Sequence, residues 1–146
     1  MFGGNKLDLA IISDIHSGDK SKLQNLKNSS IIPSERVLTV DEYVEKREAD
    51  IEDIMGKLYF EIVNRCYGLT GSKALREIDG SRRVVEEVAT QIESYNRTES
   101  RFIDFDHLTP AIYLLEHSAE FRSHPEYKST LHRFSLIFQK LNKFLP

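Results

Sequence analysis

The chain has 146 residues, a length that predicts one domain burying about two-thirds of its unfolded surface. Hydrophobic residues at 40% beside charged residues at 29% exclude a disordered or fibrous chain. A net charge of −3 excludes a global basic field for nucleic acid or an anionic membrane, and no apolar run approaches the roughly 18 residues of a bilayer span.

The first element is an apolar run, Leu7, Leu9, Ala10, Ile11 and Ile12, interrupted by Asp8. It predicts a strand over 7–13. The run lacks the charged flank and cleavage site of a signal peptide, and the one cysteine, Cys66, suits a reducing compartment. Both point to a cytoplasmic protein. No second strand is predicted, so this one must pair with another chain, pack as an extended arm, or not be a strand. The stretch SGDKSKLQNLKNSSIIPSER follows, rich in Ser, Asn and Lys and without a sustained helical period. It reads as a loop. Residues 1–36 are therefore expected to form an N-terminal arm, and residues 37–146 a helical domain.

From Val37 the period is helical. Thr39 with Glu42 forms a capping box. Val40, Val44, Ile51, Ile54, Met55, Leu58, Ile62 and Cys66 then mark one face of a helix over 40–67, stopped by Gly68 and Gly71. Ser72 caps a second helix over 72–96, with Asp79-Gly80-Ser81 marking a kink or break. Thr109-Pro110 supplies a cap and first-turn proline for a third helix over 108–120. Ser123 and Glu126 form another capping box, opening a last helix over 124–144 with Tyr127, Leu131, Phe134, Phe138, Leu141 and Leu145 on one stripe. The expected fold class is all-α, a four- to five-helix bundle with an extended N-terminal arm.

Two short motifs carry chemistry. Asp14-x-His16 leaves the predicted strand as a carboxylate and an imidazole able to share one metal ion. It resembles the opening motif of the calcineurin-like metallophosphoesterases, a resemblance that covers about a dozen residues. It implies a metal held by Asp14 and His16 that activates water against a phosphate ester. The family's later Gly-Asp, Gly-Asn-His and Gly-His-x-His motifs are absent from the chain. Arg101, five intervening residues and His107 resemble the Arg-x(4–6)-His motif of the HEPN family of small all-α proteins. The resemblance implies a ribonuclease with His107 as general base and Arg101 stabilising the phosphate transition state. Phe102 departs from the polar residue usual after that arginine.

Neither motif completes a catalytic set, and no cofactor motif is present. His117, His124 and His132 lack the spacing of a helical metal pair, and Cys66 lies on an apolar stripe. The first helix is acidic, while the second and last are basic. Such opposition suits packing within the bundle or across a dimer. The sequence therefore predicts a small interaction or assembly protein, an adaptor, regulator or complex subunit, rather than an enzyme. The expected partner is a second copy or another protein, and the expected interface is Leu9, Ile11, Ile12, Leu131, Phe134, Phe138 and Leu141.

Overall fold

The computed structural model describes residues 9–16, 18, 20–28 and 32–144. Among them are strands β1 (Ile11–Ser13) and β2 (Val37–Thr39). The helices are α1 (Lys20–Asn28), α2 (Lys57–Tyr67), α3 (Val84–Thr98), α4 (Leu108–His117) and α5 (Tyr127–Asn142). The fold is mainly α, and none of these helices is long and apolar enough to cross a membrane. Leu7 of the apolar run and Leu145 of the last stripe lie outside the described residues.

The strand over 11–13 finds its partner within the chain. It pairs in parallel with β2, Ile11 opposite Val37, Ile12 opposite Leu38 and Ser13 opposite Thr39. Residues Val37–Thr39 were expected to lead into a helix. All three are buried, and three residues are too few to display a period of two. α1 connects the strands, making a minimal βαβ unit where a loop was expected. Its apolar content, Leu23 and Leu26, is too sparse to show as a stripe, yet Leu23 packs on the core. Ile15 and Ala49 exchange backbone hydrogen bonds of 2.9 and 3.0 Å. That bridge buries Ile15 against Val40, Ala49, Ile54 and Ile137.

The helix expected over 40–67 begins only at Lys57. Before it stand two 3₁₀ turns, Val40–Glu42 and Ile51–Ile54, separated by irregular backbone. The reason is a buried carboxylate. Asp53 accepts hydrogen bonds from its own turn's Asp50 N–H at 2.8 Å and from Val84 N–H, at the start of α3, at 2.9 Å. It also accepts the Lys46 ammonium at 2.7 Å. A continuous helix through 46–53 cannot serve those three donors at once. Gly56, with φ +56°, then turns the chain into α2. At the far end the stop falls where the sequence places it, with Gly68 at φ +66° in the left-handed conformation that ends many helices.

The helix expected over 72–96 is likewise shortened, to 84–98. Residues 75–79 are held out of helix by side chains of the neighbouring helices, and the chain then turns, Arg82 N–H donating to Asp79 C=O at 3.0 Å. Asn64 accepts from Leu75 N–H at 2.7 Å and donates to Leu75 C=O at 2.9 Å. Gln91 does the same for Arg76 at 3.1 and 2.7 Å. The buried Glu87 carboxylate accepts the N–H groups of Ile78 and Asp79. Further on, Asn96 brackets Ile103 with two bonds of 2.8 Å. Each amide takes the place of a missing strand partner, so the loops satisfy their backbone without a sheet.

Helix starts also differ from the motifs. α4 begins at Leu108, and Asp106, not Thr109, supplies the cap by accepting Thr109 N–H at 2.7 Å. α5 begins at Tyr127, and His124 Nδ1, not Ser123, accepts Glu126 N–H at 3.2 Å. The core forms three clusters, two of them built on α2 and meeting at Met55. Tyr59, Phe60 and Val63 face α3 residues Val84, Val85, Val88 and Ile92. Leu58 and Ile62 face Phe121, with Tyr113 and Leu114 of α4 alongside. The third cluster joins the N-terminal segment to Ile137, Phe134 and Leu141 of α5.

Asp53→Ala should lower stability by about 3–5 kcal/mol, because it strands the largely buried Lys46 ammonium and two backbone N–H groups. Denaturant unfolding checks this. A loss below about 1 kcal/mol would show that the carboxylate does not hold these elements together.

Candidate functional site

Residues Asp50-Ile51-Glu52-Asp53 meet both of the motifs that the sequence singles out. β1 delivers His16 to the side chain of Asp50, Nε2 to Oδ1 at 3.1 Å. Asp50 is buried and takes Arg83 Nη1 on both oxygens, at 3.2 and 3.0 Å. Asp14 stands at the exposed edge of this group. Partial desolvation of its carboxyl, and next the charge of Asp50, raise its pKa. The Ile51 backbone N–H and His16 act the other way. Asp14 and His16 are thus close neighbours, but the coordinating capacity of Asp50 is already shared between an imidazole and a guanidinium. Among the described residues no group of three or more His, Cys, Asp or Glu is arranged to hold a metal ion.

Arg101 and His107 reach different parts of the molecule. Arg101 lies over the C-terminal end of α2, its Nη1 3.7 Å from where a Cβ on Gly68 would stand. His107 Nδ1 is 3.2 Å from Oε1 of Glu52, which precedes the N-terminal end of α2. The 11 residues of α2 span about 16 Å, so the two side chains hold contacts at opposite ends of that helix. Of the other histidines, His117 stacks on Tyr113 with ring centroids 4.2 Å apart and shares a 3.0 Å hydrogen bond with Tyr113 C=O. His132 is exposed. Burial, and next the charge of Asp106, push the pKa of the half-buried Cys66 thiol up, which disfavours the thiolate.

The expected interface residues divide. Leu9, Leu131 and Phe138 are exposed. Ile11 is half-buried in β1, whereas Ile12, Phe134 and Leu141 pack against the core cluster around Ile137. The inward face of α5 is Thr130, Phe134, Ile137 and Leu141, so Leu131 and Phe138 turn away from it.

A larger apolar surface belongs to α4. Its inward residues Pro110, Tyr113 and Leu114 cover α2, while Leu108, Ile112 and Leu115 are 67, 47 and 79% exposed. The signal for this is in the sequence: LTPAIYLLEH is apolar around nearly its whole circumference, and such a helix is normally covered on every side. Beside this face a cavity of about 400 Å³ opens between the 51–62 segment and α4, with Ile51, Met55, Ile62, Ala111, Leu114 and Leu115 in its walls. Glu52 and His107 supply its polar rim. Tyr59 also lines it, and burial, then the charge of Glu52, push the phenol pKa well above its ordinary value.

No protein-family model matches the chain, and no curated protein or solved structure shows significant similarity to it.

The raised pKa of Asp14 has a definite sign. The folded chain resists ionising this carboxyl, so its charge destabilises the fold at neutral pH, and that contribution disappears as pH falls below the ordinary value of 3.8. Asp14→Asn should therefore raise stability at pH 7 by about 0.5 kcal/mol at most, given solvent screening at an exposed site. Parallel pH–stability curves should converge below that value. A variant less stable than wild type at pH 7 would contradict the assignment.

Proposed function

We propose that the protein works by association: a small, non-catalytic helical adaptor, regulator or complex subunit that binds a second copy of itself or another protein. The observation that carries this reading is the outward face of α4, where Leu108, Ile112 and Leu115 are exposed on a helix that is apolar on both sides. Each such side chain contributes roughly 1.5–3 kcal/mol when fully covered, before the entropy of association is subtracted. Exposed Leu131 and Phe138 on α5 extend the apolar surface available to a partner. The catalytic alternatives draw less support, since the two candidate histidines contact different carboxylates, His16 on Asp50 and His107 on Glu52, and Arg101 lies at the other end of α2 from His107. A single cysteine suits work in the cytoplasm.

Light scattering over a wide concentration range, with a dye for exposed apolar surface, tests the reading. Self-association predicts a mass above that of the monomer. Ile112→Glu should return it to the monomer while circular dichroism stays unchanged. A monomer that binds the dye, and loses it in Ile112→Glu, would assign the face to a different protein. A monomer that binds no dye would overturn the proposal.

A further inference from the structure

We infer that the cavity between the 51–62 segment and α4 is a binding site for a small apolar amine, its hydrocarbon or aryl body between the helices and its ammonium on Glu52. The volume of about 400 Å³ lies in the range of small-molecule sites. The walls are mostly apolar, aliphatic side chains with Met55 and the ring of Tyr59, whose buried hydroxyl has no hydrogen-bond partner among the described residues. Charge is confined to one rim, where Glu52 and His107 are the only acidic and basic side chains in the lining among the described residues.

The two rim residues are held unequally. The Glu52 side chain is 12% exposed, whereas His107 is 61% exposed. The carboxylate is thus a fixed, largely desolvated feature of the cavity, and the imidazole is its loosely held outer partner. Among the described residues His107 is the only hydrogen-bond partner of the Glu52 side chain. Rotation of His107 outward frees Oε1 for a donor coming from inside the cavity. An ammonium replaces the imidazole with charge-assisted hydrogen bonds. An alcohol offers a single neutral bond, and a carboxylate meets like charge. Ser118, also in the lining, provides a second polar contact. Leu115 belongs both to this lining and to the outward face of α4, whereas Leu108 and Ile112 lie outside the lining, so Ile112→Glu tests the association face without altering the cavity wall.

The chain has two methionines, so a methyl spectrum of Met-labelled full-length protein contains one reporter inside the cavity, Met55. The probes are phenethylamine, phenethyl alcohol and phenylacetate, titrated against that signal. Phenethylamine should shift the Met55 methyl saturably and bind at least about tenfold more tightly than the other two, the factor expected for one charged hydrogen bond of 1.5–3 kcal/mol. Glu52→Gln should remove that preference. His107→Ala should leave amine affinity unchanged or raise it, since a competing donor is gone. Ala111→Trp, placed at an exposed wall position, should fill the cavity and abolish the shift without loss of helicity.

Equal binding of the three probes to wild type would overturn the proposal, and this comparison needs no variant to fold. So would amine binding that survives Ala111→Trp, or a His107→Ala loss as large as that of Glu52→Gln, which would assign recognition to the imidazole. A dimer that dissociates in Ile112→Glu yet still binds phenethylamine would separate this site from the association face.

Discussion

Asp53 is the side chain on which the rest of the fold depends. Its carboxylate is fully buried and takes two backbone N–H groups and one ammonium from three stretches of chain: its own turn, the irregular 43–50 loop and the start of α3. A buried carboxylate is costly unless its lone pairs are occupied, so these three donors and the carboxylate require each other. Once Val84 N–H is fixed there, α3 must run back along α2, which sets the largest core cluster.

The same turn organises the remaining elements. Arg133 of α5 donates to Ile54 C=O at 2.7 Å, and Thr130 donates to Met55 C=O at 3.3 Å. The N-terminal segment arrives through Ile15–Ala49 backbone bonds and through His16 on Asp50. The approach to α4 arrives through His107 on Glu52. The two histidines that stand out in the sequence are thereby bonded to neighbouring acidic residues from different directions. Asp50 has a guanidinium as well as an imidazole, and that double pairing makes it a structural junction. Among the described residues Glu52 has the exposed His107 as its one side-chain hydrogen-bond partner, and an apolar cavity adjoins it.

With α2 central, α3 on one side and α4 with Phe121 on another, the chain covers α2 almost completely and α4 on one face only. Asn64, Gln91, Asn96 and Glu87 hold residues 75–79 and 103 against α2 and α3, and the leucines and isoleucine on the outer face of α4 stay exposed.

The mainly helical class, the stop of α2 at Gly68, the break before α3 and the existence of α4 and α5 were legible in the sequence, because periodicity and glycine conformation act over a few residues. Asp14 and His16 were legible as polar residues leaving a strand, and α4 as a helix with too many apolar positions to bury. What the tertiary structure alone decided depends on partners distant in the chain. Val37–Thr39 becomes a strand because Ile11–Ser13 lies beside it. Residues 43–50 stay irregular, and 51–54 form a 3₁₀ turn, because Lys46, Asp50 N–H and Val84 N–H converge on one carboxylate. Leu75 and Arg76 stay out of helix because amides on two helices bind their backbone. Asp50 and Glu52 acquire His16 and His107 over separations of 34 and 55 residues. Local propensity carries no information about such pairings, since a buried hydrogen bond or ion pair gains its strength only when packing has excluded the water that competes for it.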